Sequence, residues 1–286
     1  MIHAEPESTL TEMRKVPARL ARSWQLVSAL RLGEANGSAA DAVVLDLEDA
    51  VPAADKHVAR LAALSFLAGR PAWVRVNDAT SEQWGADLEA VGSSVGLRGV
   101  MLAKVESAEQ VTRTAKRLPP GVKIVALIES ARGLEAASEI AREPATFRLA
   151  FGSGDFRRDT RMGDDPIALA YPRSRLVVAS AAAGLPGPID GPTLTDSVDS
   201  ILAATANSRM LGMTGKLTLR ASQATHINEA MSPSPAELAW ARDTVDRACD
   251  GGAIDGSYLP TLARARALLS LAAELGTSSP IGRAAR

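Results

Sequence analysis

The chain has 286 residues, with 32 Lys and Arg against 33 Asp and Glu, three His and one Cys. A net charge of −1 and 3% aromatic residues give no surface for nucleic acid. One cysteine excludes a disulfide framework and a cysteine-based zinc site. The central charge-free stretch, 176–189, is broken by Pro and Gly, and the first residues lack a secretory apolar core. We expect a cytoplasmic protein that binds neither nucleic acid nor membrane.

Residues 1–15 are polar, and we expect them to form a disordered arm. Beyond them, short apolar segments alternate with amphipathic segments of helical periodicity. Several of the apolar segments contain β-branched residues and are continuously apolar, which is typical of strands buried on both faces. The predicted strands are 24–27, 43–47, 73–76, 100–103, 124–128, 148–151, 187–190 and 216–219.

Six helices are predicted between these strands, at 53–68, 81–91, 108–117, 133–141, 166–183 and 196–211, with Ser81, Ser107 and Asp196 as N-caps. Alternating strands and helices indicate an α/β protein with a parallel sheet. Eight strands predict a TIM (β/α)8 barrel over residues 16–231. A doubly wound sheet is the alternative, but no GxGxxG follows the first strand, where the sequence reads SALRLGEANG.

The last part of the chain, 232–286, is predicted to be a helical extension of the barrel. A first helix is capped at Ser234 and has Pro235 in its first turn. The sequence DGGAIDG interrupts it, and a second helix follows at 259–275.

Charged residues stand where six of the predicted strands end. The carboxyl ends of barrel strands meet at one face, which is where barrel enzymes place their active sites. We therefore expect a shared site there rather than scattered salt bridges. The residues concerned are Asp46, Glu48, Asp49, Arg75, Asp78, Lys104, Glu106, Glu129, Asp155, Lys216 and Arg220.

Glu129 and Asp155 are one strand–helix repeat apart, so their carboxylates should enter the same mouth. Two carboxylates that close repel each other unless a proton or a cation intervenes, and Mg²⁺ suits such a pair. The alternative is that each pairs with a nearby arginine, such as Arg132 or Arg157. Spacing alone leaves both interpretations open.

Arg75 lies within a strand, where an unpaired charge is costly. It suits bidentate binding of a substrate carboxylate or thioester oxygen, or a salt bridge to Glu48, or both. Lys56 and Arg60 lie at helical spacing on a solvated face or pair with Asp49, unless they bind a substrate phosphate.

Several motifs in series resemble the citrate lyase β-subunit-like family. They are VVLDLEDAVPAADKHVAR (43–60), WVRVN (73–77), GVMLAKVESAEQV (99–111), ALIESARGL (126–134), FGSGDF (151–156), AAAGLPGPIDG (181–191) and GMTGKLTLRASQATHINEAMSPSPAELAWA (212–241). The superfamily includes malyl- and citramalyl-coenzyme A lyases and aldolases of the HpcH/HpaI type. The resemblance implies a Mg²⁺-dependent barrel, assembled as a homotrimer, that makes or breaks a C–C bond in a hydroxy acid or its coenzyme A thioester.

The resemblance also assigns residues. It implies that Glu129 and Asp155 bind the metal, that Arg75 holds the substrate carboxylate or carbonyl, and that Glu48 supports this arginine. For the phosphates of coenzyme A, the basic candidates are Arg22, Lys56 and Arg60.

Four positions depart from the family pattern. VSAL replaces a Pro-Gly turn after the first strand, Gly154 replaces a glutamate, and LRASQ replaces IHPSQ at Arg220 and Ala221. Near the end, DGSYLPTL lacks a family aspartate that protonates the enolate carbon, and Asp255 does not align with it. The sequence therefore leaves three functions open: a lyase, a non-catalytic paralogue that binds a metabolite or a partner, and a coenzyme A thioester hydrolase.

Overall fold

The computed structural model describes residues 16–249 and 256–277, so the predicted arm at 1–15 lies outside the described residues. The chain divides into two compact units, one of Ala18–Pro235 and a second that contains the last two helices. In the first unit, eight parallel strands pair in chain order and close a barrel. This confirms the predicted (β/α)8 barrel and excludes the doubly wound sheet.

The strands lie where the apolar segments predicted them. Each strand overlaps its predicted segment, with ends that differ by up to three residues: β4 begins three residues before 100, and β7 contains only the last two of the four residues predicted at 187–190. The strands are β1 (Ser23–Ser28), β2 (Ala42–Asp46), β3 (Ala72–Val76), β4 (Leu97–Leu102), β5 (Lys123–Ile128), β6 (Thr146–Phe151), β7 (Ile189–Asp190) and β8 (Gly215–Thr218).

Nine α-helices follow the strands in the described part of this unit. The six predicted helices are all present, but the segment at 133–141 forms two helices, and α6 and α9 lie outside the six predicted segments. They are α1 (Lys56–Gly69), α2 (Glu82–Val91), α3 (Ala108–Lys116), α4 (Ala131–Glu135), α5 (Ala137–Arg142), α6 (Ser153–Thr160), α7 (Ala170–Ala182), α8 (Val198–Met210) and α9 (Ala224–Met231).

Two of the three predicted N-caps are confirmed. The Ser81 hydroxyl accepts a hydrogen bond from the main-chain N–H of Gln83, and Ser107 forms a capping box with α3. The prediction for Asp196 is wrong by one residue, because Ser197 caps α8 instead.

The barrel has two apolar layers because successive strand residues face opposite sides of the sheet. Residues that face outward pack under the helices, and those that face inward fill the barrel. Inside, Trp73 stands between Trp24 and Phe147, with ring centroids 5.0 and 5.5 Å away. Arg75 follows Trp73 by two residues and therefore also faces inward, toward the carboxyl-end mouth.

The buried arginine Arg148 lies below this aromatic group. It has no carboxylate partner in the described residues; its guanidinium donates to main-chain oxygens of Ala21 and Gly187 and to the Thr214 hydroxyl. Burial lowers the pKa of Arg148 to about 9. These contacts make it part of the barrel floor, at the end opposite the predicted site.

The second unit contains α10 (Pro235–Cys249) and α11 (Tyr258–Leu275). Both lie where the sequence predicts helices. The Arg264 guanidinium lies 5.2 Å from the ring centroid of Trp240, a cation–π contact between the two helices. Within the described ranges, 16–249 and 256–277, no helix is long and apolar enough to cross a bilayer.

Candidate active site

The centre of the mouth is an ion pair between neighbouring strands. Asp46, the last residue of β2, lies in register with Arg75 of β3. The Arg75 guanidinium donates from Nε to Asp46 Oδ1 at 2.7 Å and from Nη2 to Asp46 Oδ2 at 2.6 Å. This bidentate contact fixes the plane of the guanidinium. The salt bridge to Glu48 predicted from the sequence is also present, but the bidentate partner of Arg75 is Asp46.

Glu48 adds a second carboxylate to the same guanidinium, with its Oε2 3.1 Å from Arg75 Nη1. Its other oxygen accepts a hydrogen bond from the Lys104 ammonium, and the main-chain N–H of Asp49 donates to Oε2 at 2.9 Å. Burial raises the pKa of Glu48, although Arg75 and Lys104 oppose the shift. Glu48 is thus held on all sides and acts as a support for Arg75.

Glu129 follows β5 and is 5% exposed. The main-chain N–H of Lys104 donates to its Oε1 at 2.7 Å. Burial raises the pKa of Glu129 to about 8, with Glu48 and Asp155 adding to the effect and Arg75 opposing it. A buried carboxyl group with so few compensating charges requires either a proton or a cation.

Gly152 allows Glu129 to occupy this position. A Cβ on Gly152 would lie 2.4 Å from Glu129 Oε2 and 2.5 Å from Glu129 Cβ, which is inside contact distance. The glycine thus leaves space for the carboxylate between β5 and the start of α6.

Asp155 lies in the first turn of α6, and its side chain is 21% exposed. Its Oδ1 is 3.2 Å from Arg158 Nη1, whereas its Oδ2 is buried and accepts no hydrogen bond from the described residues. The alternative that Asp155 pairs with a nearby arginine is confirmed, but the partner is Arg158 and not Arg157 or Arg132. Arg157 pairs with Asp164, and Arg132 lies 3.9 Å from a carboxylate oxygen of Glu106. One oxygen of Asp155 is therefore available to a ligand.

The mouth carries more negative than positive charge. Five carboxylates face three cationic side chains, and the charge of Asp155 is one of the influences that raise the pKa of Glu129. The described part of the chain holds no group of three or more His, Cys, Asp or Glu residues suited to a metal. A pair of carboxylates, one with an unpartnered buried oxygen, still fits Mg²⁺, which commonly takes one or two protein carboxylates with water and substrate oxygens. The carboxylates are Asp46, Glu48, Asp49, Glu129 and Asp155, and the cations are Arg75, Lys104 and Arg158.

Lys56 is not placed to bind substrate. Its ammonium donates to the main-chain oxygens of Leu47 and Glu48 at 2.6 and 2.8 Å and to Asn77 Oδ1 at 2.9 Å. These contacts use all three of its donors. Arg60 does not pair with Asp49 as predicted; it pairs with the fully buried Asp87 at 2.7 Å. The structure therefore gives Lys56 and Arg60 structural contacts.

Arg22 lies at the wrong end of the barrel for the predicted substrate contact. It precedes the first residue of β1, on the amino-end face, and its Nε is 2.8 Å from Asp41 Oδ2. Its Nη1 also donates to the Ser232 hydroxyl at 2.7 Å. These contacts tie the strand to the end of the unit, and we do not assign Arg22 to the site.

The altered LRASQ motif forms a contact of its own, in which Arg220 pairs with Asp196. The Gln223 side chain receives a hydrogen bond from the Thr218 hydroxyl at 2.7 Å. Asp255, considered as a replacement for the lost aspartate, lies outside the described residues.

A cavity of about 650 Å³ opens among the loops that follow β6 and β7, next to α6. Its lining is mixed: apolar residues such as Leu169 and Leu194 stand beside polar ones that include Arg157, Arg173, Asn207 and Lys216. The space is sufficient for a substrate larger than a simple hydroxy acid.

The sequence placed Asp46 and Lys104 at the mouth, but it did not predict the pairing of Asp46 with Arg75 or the contacts of Lys104 with Glu48 and Glu129. Asp46 and Lys104 both stand at the carboxyl end of a predicted strand, and that position was the available signal. Which strand residues oppose each other depends on register, which the local sequence does not reveal.

An eight-stranded parallel barrel with paired carboxylates and one inward arginine at its carboxyl-end mouth is the architecture of a barrel enzyme. A family model described as HpcH/HpaI aldolase/citrate lyase matches residues 25–221, and one for the HpcH/HpaI aldolase C-terminal domain matches residues 236–276. The chain therefore belongs to the HpcH/HpaI aldolase/citrate lyase family, which confirms the resemblance drawn from its motifs.

Known proteins support this assignment. The chain is 31% identical to a citrate lyase subunit beta-like protein of Deinococcus radiodurans, over 82% of this chain and 89% of that protein. It is 33% identical to a (3S)-malyl-CoA thioesterase of Cereibacter sphaeroides, over 72% and 74%. A crystal structure of the protein CitE from Mycobacterium tuberculosis, in complex with magnesium, acetoacetate and coenzyme A, aligns with a TM-score of 0.74 and 28% identity, over 89% and 99%.

Proposed function

We propose that this protein is a Mg²⁺-dependent carbon–carbon lyase that acts on a 3-hydroxy acid or its coenzyme A thioester. The observation that carries the proposal is the buried Oδ2 of Asp155, which accepts no hydrogen bond from the described residues, at the same mouth as Glu129, whose pKa is raised by burial to about 8. Relatives in the family support the choice of reaction, and the solved relative with magnesium, acetoacetate and coenzyme A supports the choice of ligands.

In this proposal Glu129 and Asp155 hold the cation. When bound, Mg²⁺ supplies Lewis-acid stabilisation of negative charge on a substrate oxygen. Lys104 keeps Glu129 in place through its main-chain N–H. Arg75 gives two of its five N–H groups to Asp46 and directs remaining donors at a substrate carboxylate or carbonyl oxygen. Glu48 keeps the guanidinium from turning.

In the proposed cleavage the proton of the 3-hydroxyl group passes to water, and the bond between C2 and C3 breaks. The bonding electrons pass to the acyl fragment as an enolate, and an oxo compound leaves. Fixed positive charge around the developing enolate lowers the barrier, because Arg75 is already oriented before the reaction begins. In our proposal, water supplies the proton that the enolate carbon takes up.

The test is turnover of malyl-, citramalyl- and citryl-coenzyme A and of free hydroxy-oxo acids, each with Mg²⁺ and with a chelator. We expect chelator-sensitive release of pyruvate, glyoxylate, oxaloacetate or acetate. Glu129→Gln should abolish this release. It should also abolish the binding of Mn²⁺, which serves as the probe for the proposed Mg²⁺ site. The lyase function is refuted if the wild type shows no turnover of any of these compounds and Glu129→Gln binds ligand as the wild type does.

A second candidate is hydrolysis of a coenzyme A thioester on the same site. The similarity to a (3S)-malyl-CoA thioesterase favours it. The same assay separates the two, since a hydrolase releases free thiol without any product of C–C cleavage. The LRASQ and DGSYLPTL segments, which depart from the family pattern, suggest a non-catalytic paralogue. Such a protein would bind the thioesters and release neither free thiol nor a product of C–C cleavage.

We also propose that the protein is a cytoplasmic homotrimer, as the family resemblance implies. Light scattering of the purified chain should then give about three times the 29.9 kDa of one protomer. A mass of one protomer would exclude this assembly.

A further inference from the structure

Lys104 has an unusual backbone for a lysine. It lies just after β4 with φ +49°, in the left-handed region. Across residues 16–249 and 256–277, one other non-glycine residue has positive φ, and that is Arg161, which ends α6 in the ordinary way. Lys104 ends no helix. Such a conformation costs free energy, and residues that retain it cluster at functional sites.

This backbone conformation accompanies contacts to both halves of the site. The main-chain N–H of Lys104 donates to Glu129 Oε1 at 2.7 Å, on the side proposed for the metal. The ammonium group of the same residue pairs with Glu48, the support of Arg75, and lies 3.3 Å from Asp49 Oδ1. One residue therefore connects the proposed metal ligand to the arginine that faces the substrate.

The ammonium contact differs from an ordinary surface ion pair. The Lys104 side chain is 35% exposed, but its partner Glu48 is only 4% exposed. Burial alone would lower the pKa of Lys104, yet the hydrogen bond and charge of Glu48, with Asp49, raise it. The ammonium is therefore charged at neutral pH and is the second cation on a carboxylate that also holds Arg75 at 3.1 Å.

We propose that Lys104 is a positioning residue that aligns the metal-binding carboxylate and the substrate-binding arginine with each other. Its main-chain N–H orients Glu129, and its ammonium fixes Glu48 and, through it, Arg75. This inference rests on the proposed function, because it assumes that Glu129 and Arg75 serve one substrate.

The experiment compares Lys104→Gly, Lys104→Met and Lys104→Arg in the full chain, with Lys116→Met as the control. Lys116 is an exposed lysine at the end of α3. Glycine suits the left-handed backbone, so Lys104→Gly removes the ammonium while relieving the backbone cost. We measure Tm, Mn²⁺ affinity, and kcat and KM with a thioester that the wild type cleaves.

We expect Lys104→Gly to keep or raise the Tm while kcat/KM falls at least tenfold. The kcat/KM of Lys104→Met should fall as much as that of Lys104→Gly. The kcat/KM of Lys104→Arg should stay within about threefold of wild type, and that of Lys116→Met should equal wild type. The double variant Lys104→Met/Glu48→Gln should have a kcat/KM no more than about threefold below that of the less active single variant. The reason is that each change removes the same contact, the pair between Lys104 and Glu48.

Two results would overturn the inference. One is Lys104→Gly with wild-type kcat/KM. The other is a set of variants in which kcat/KM falls only in proportion to Tm, which a merely structural role predicts.

A binding measurement separates this inference from the lyase proposal. Calorimetry with Mn²⁺ and oxaloacetate needs no turnover, and Lys104→Gly should weaken oxaloacetate binding at least tenfold. If the wild type binds oxaloacetate but cleaves nothing, the lyase proposal fails and this measurement still decides the role of Lys104. A wild type that binds neither Mn²⁺ nor oxaloacetate refutes both.

Discussion

Asp46 and Arg75, paired in register on β2 and β3, form two parallel hydrogen bonds of 2.7 and 2.6 Å inside the barrel mouth. The buried carboxylate raises the pKa of the guanidinium above its usual value, although burial by itself lowers it. Arg75 is therefore a permanent positive charge with a fixed plane, next to two further carboxylates.

Replacing Arg75 by Lys should show how much this plane contributes. A lysine keeps the charge but cannot make the bidentate contact to Asp46. We expect kcat/KM to fall about 10²- to 10³-fold, the range typical for loss of one oriented donor. Steady-state kinetics check this, and Arg158→Lys, on the outer side of Asp155, is the matched control. An Arg75→Lys variant with the kcat/KM of wild type would show that charge alone matters.

Gly152 and Gly154 provide a matched pair for testing the carboxylate position. Gly152→Ala would put a methyl group 2.4 Å from Glu129 Oε2, whereas a Cβ on Gly154 meets nothing within 4 Å. Gly152 has φ −86°, so alanine causes no backbone strain there and its effect is steric. We expect Mn²⁺ affinity to fall at least tenfold in Gly152→Ala and to stay at the wild-type value in Gly154→Ala. Titration with Mn²⁺ measures both.

Lys56 should prove to be structural. Lys56→Met leaves two main-chain oxygens and Asn77 Oδ1 without their buried donor. We expect a loss of about 2–4 kcal/mol in the free energy of unfolding, given the cost of unsatisfied buried groups. Urea unfolding measures it. A raised KM for a coenzyme A thioester at unchanged stability would instead restore the substrate role predicted from sequence.

Asp190 should make stability depend on pH in acid. It is fully buried between Lys216, Arg173 and the Ser208 hydroxyl. Burial favours its neutral form, but the two cations outweigh it and lower the pKa of Asp190 from 3.8 to about 2. Because the folded state binds the proton less readily, the carboxylate stabilises the fold above pH 3.8. That contribution, on the order of 2 kcal/mol, is lost as the pH falls through about 2.

Asp190→Asn tests this contribution. At pH 7 it leaves two buried cations without a counter-ion, which typically costs about 3–5 kcal/mol. The difference between Asp190→Asn and wild type in the free energy of unfolding, measured with urea, should become smaller between pH 4 and pH 2. Asp164→Asn, at a largely exposed ion pair, serves as the control and should change little at any pH. A difference that stays constant with pH would contradict the assigned ionisation.

The sequence predicted the barrel well because each strand is short, apolar and locally periodic. It failed for one polar helix and for contacts between residues that are distant in the chain. The α6 helix was missed because its sequence, SGDFRRDT, is polar. The ion pair between Asp155 and Arg158, which are three residues apart on that helix, was therefore missed as well. The contacts of Lys56 were missed because a long side chain reaches back to β2 from the start of α1.

The barrel wall is uneven in how it is closed. β7 has two residues and one register pair with β6, Ala150 with Ile189, so few main-chain hydrogen bonds hold this part of the sheet. Salt bridges compensate for the missing hydrogen bonds: Asp190 of β7 pairs with Lys216 of β8 and with Arg173 of α7. Amide protons along this segment should therefore exchange with solvent sooner than those of β2 to β5, and the wall should begin to separate here when the protein opens, next to the cavity beside α6.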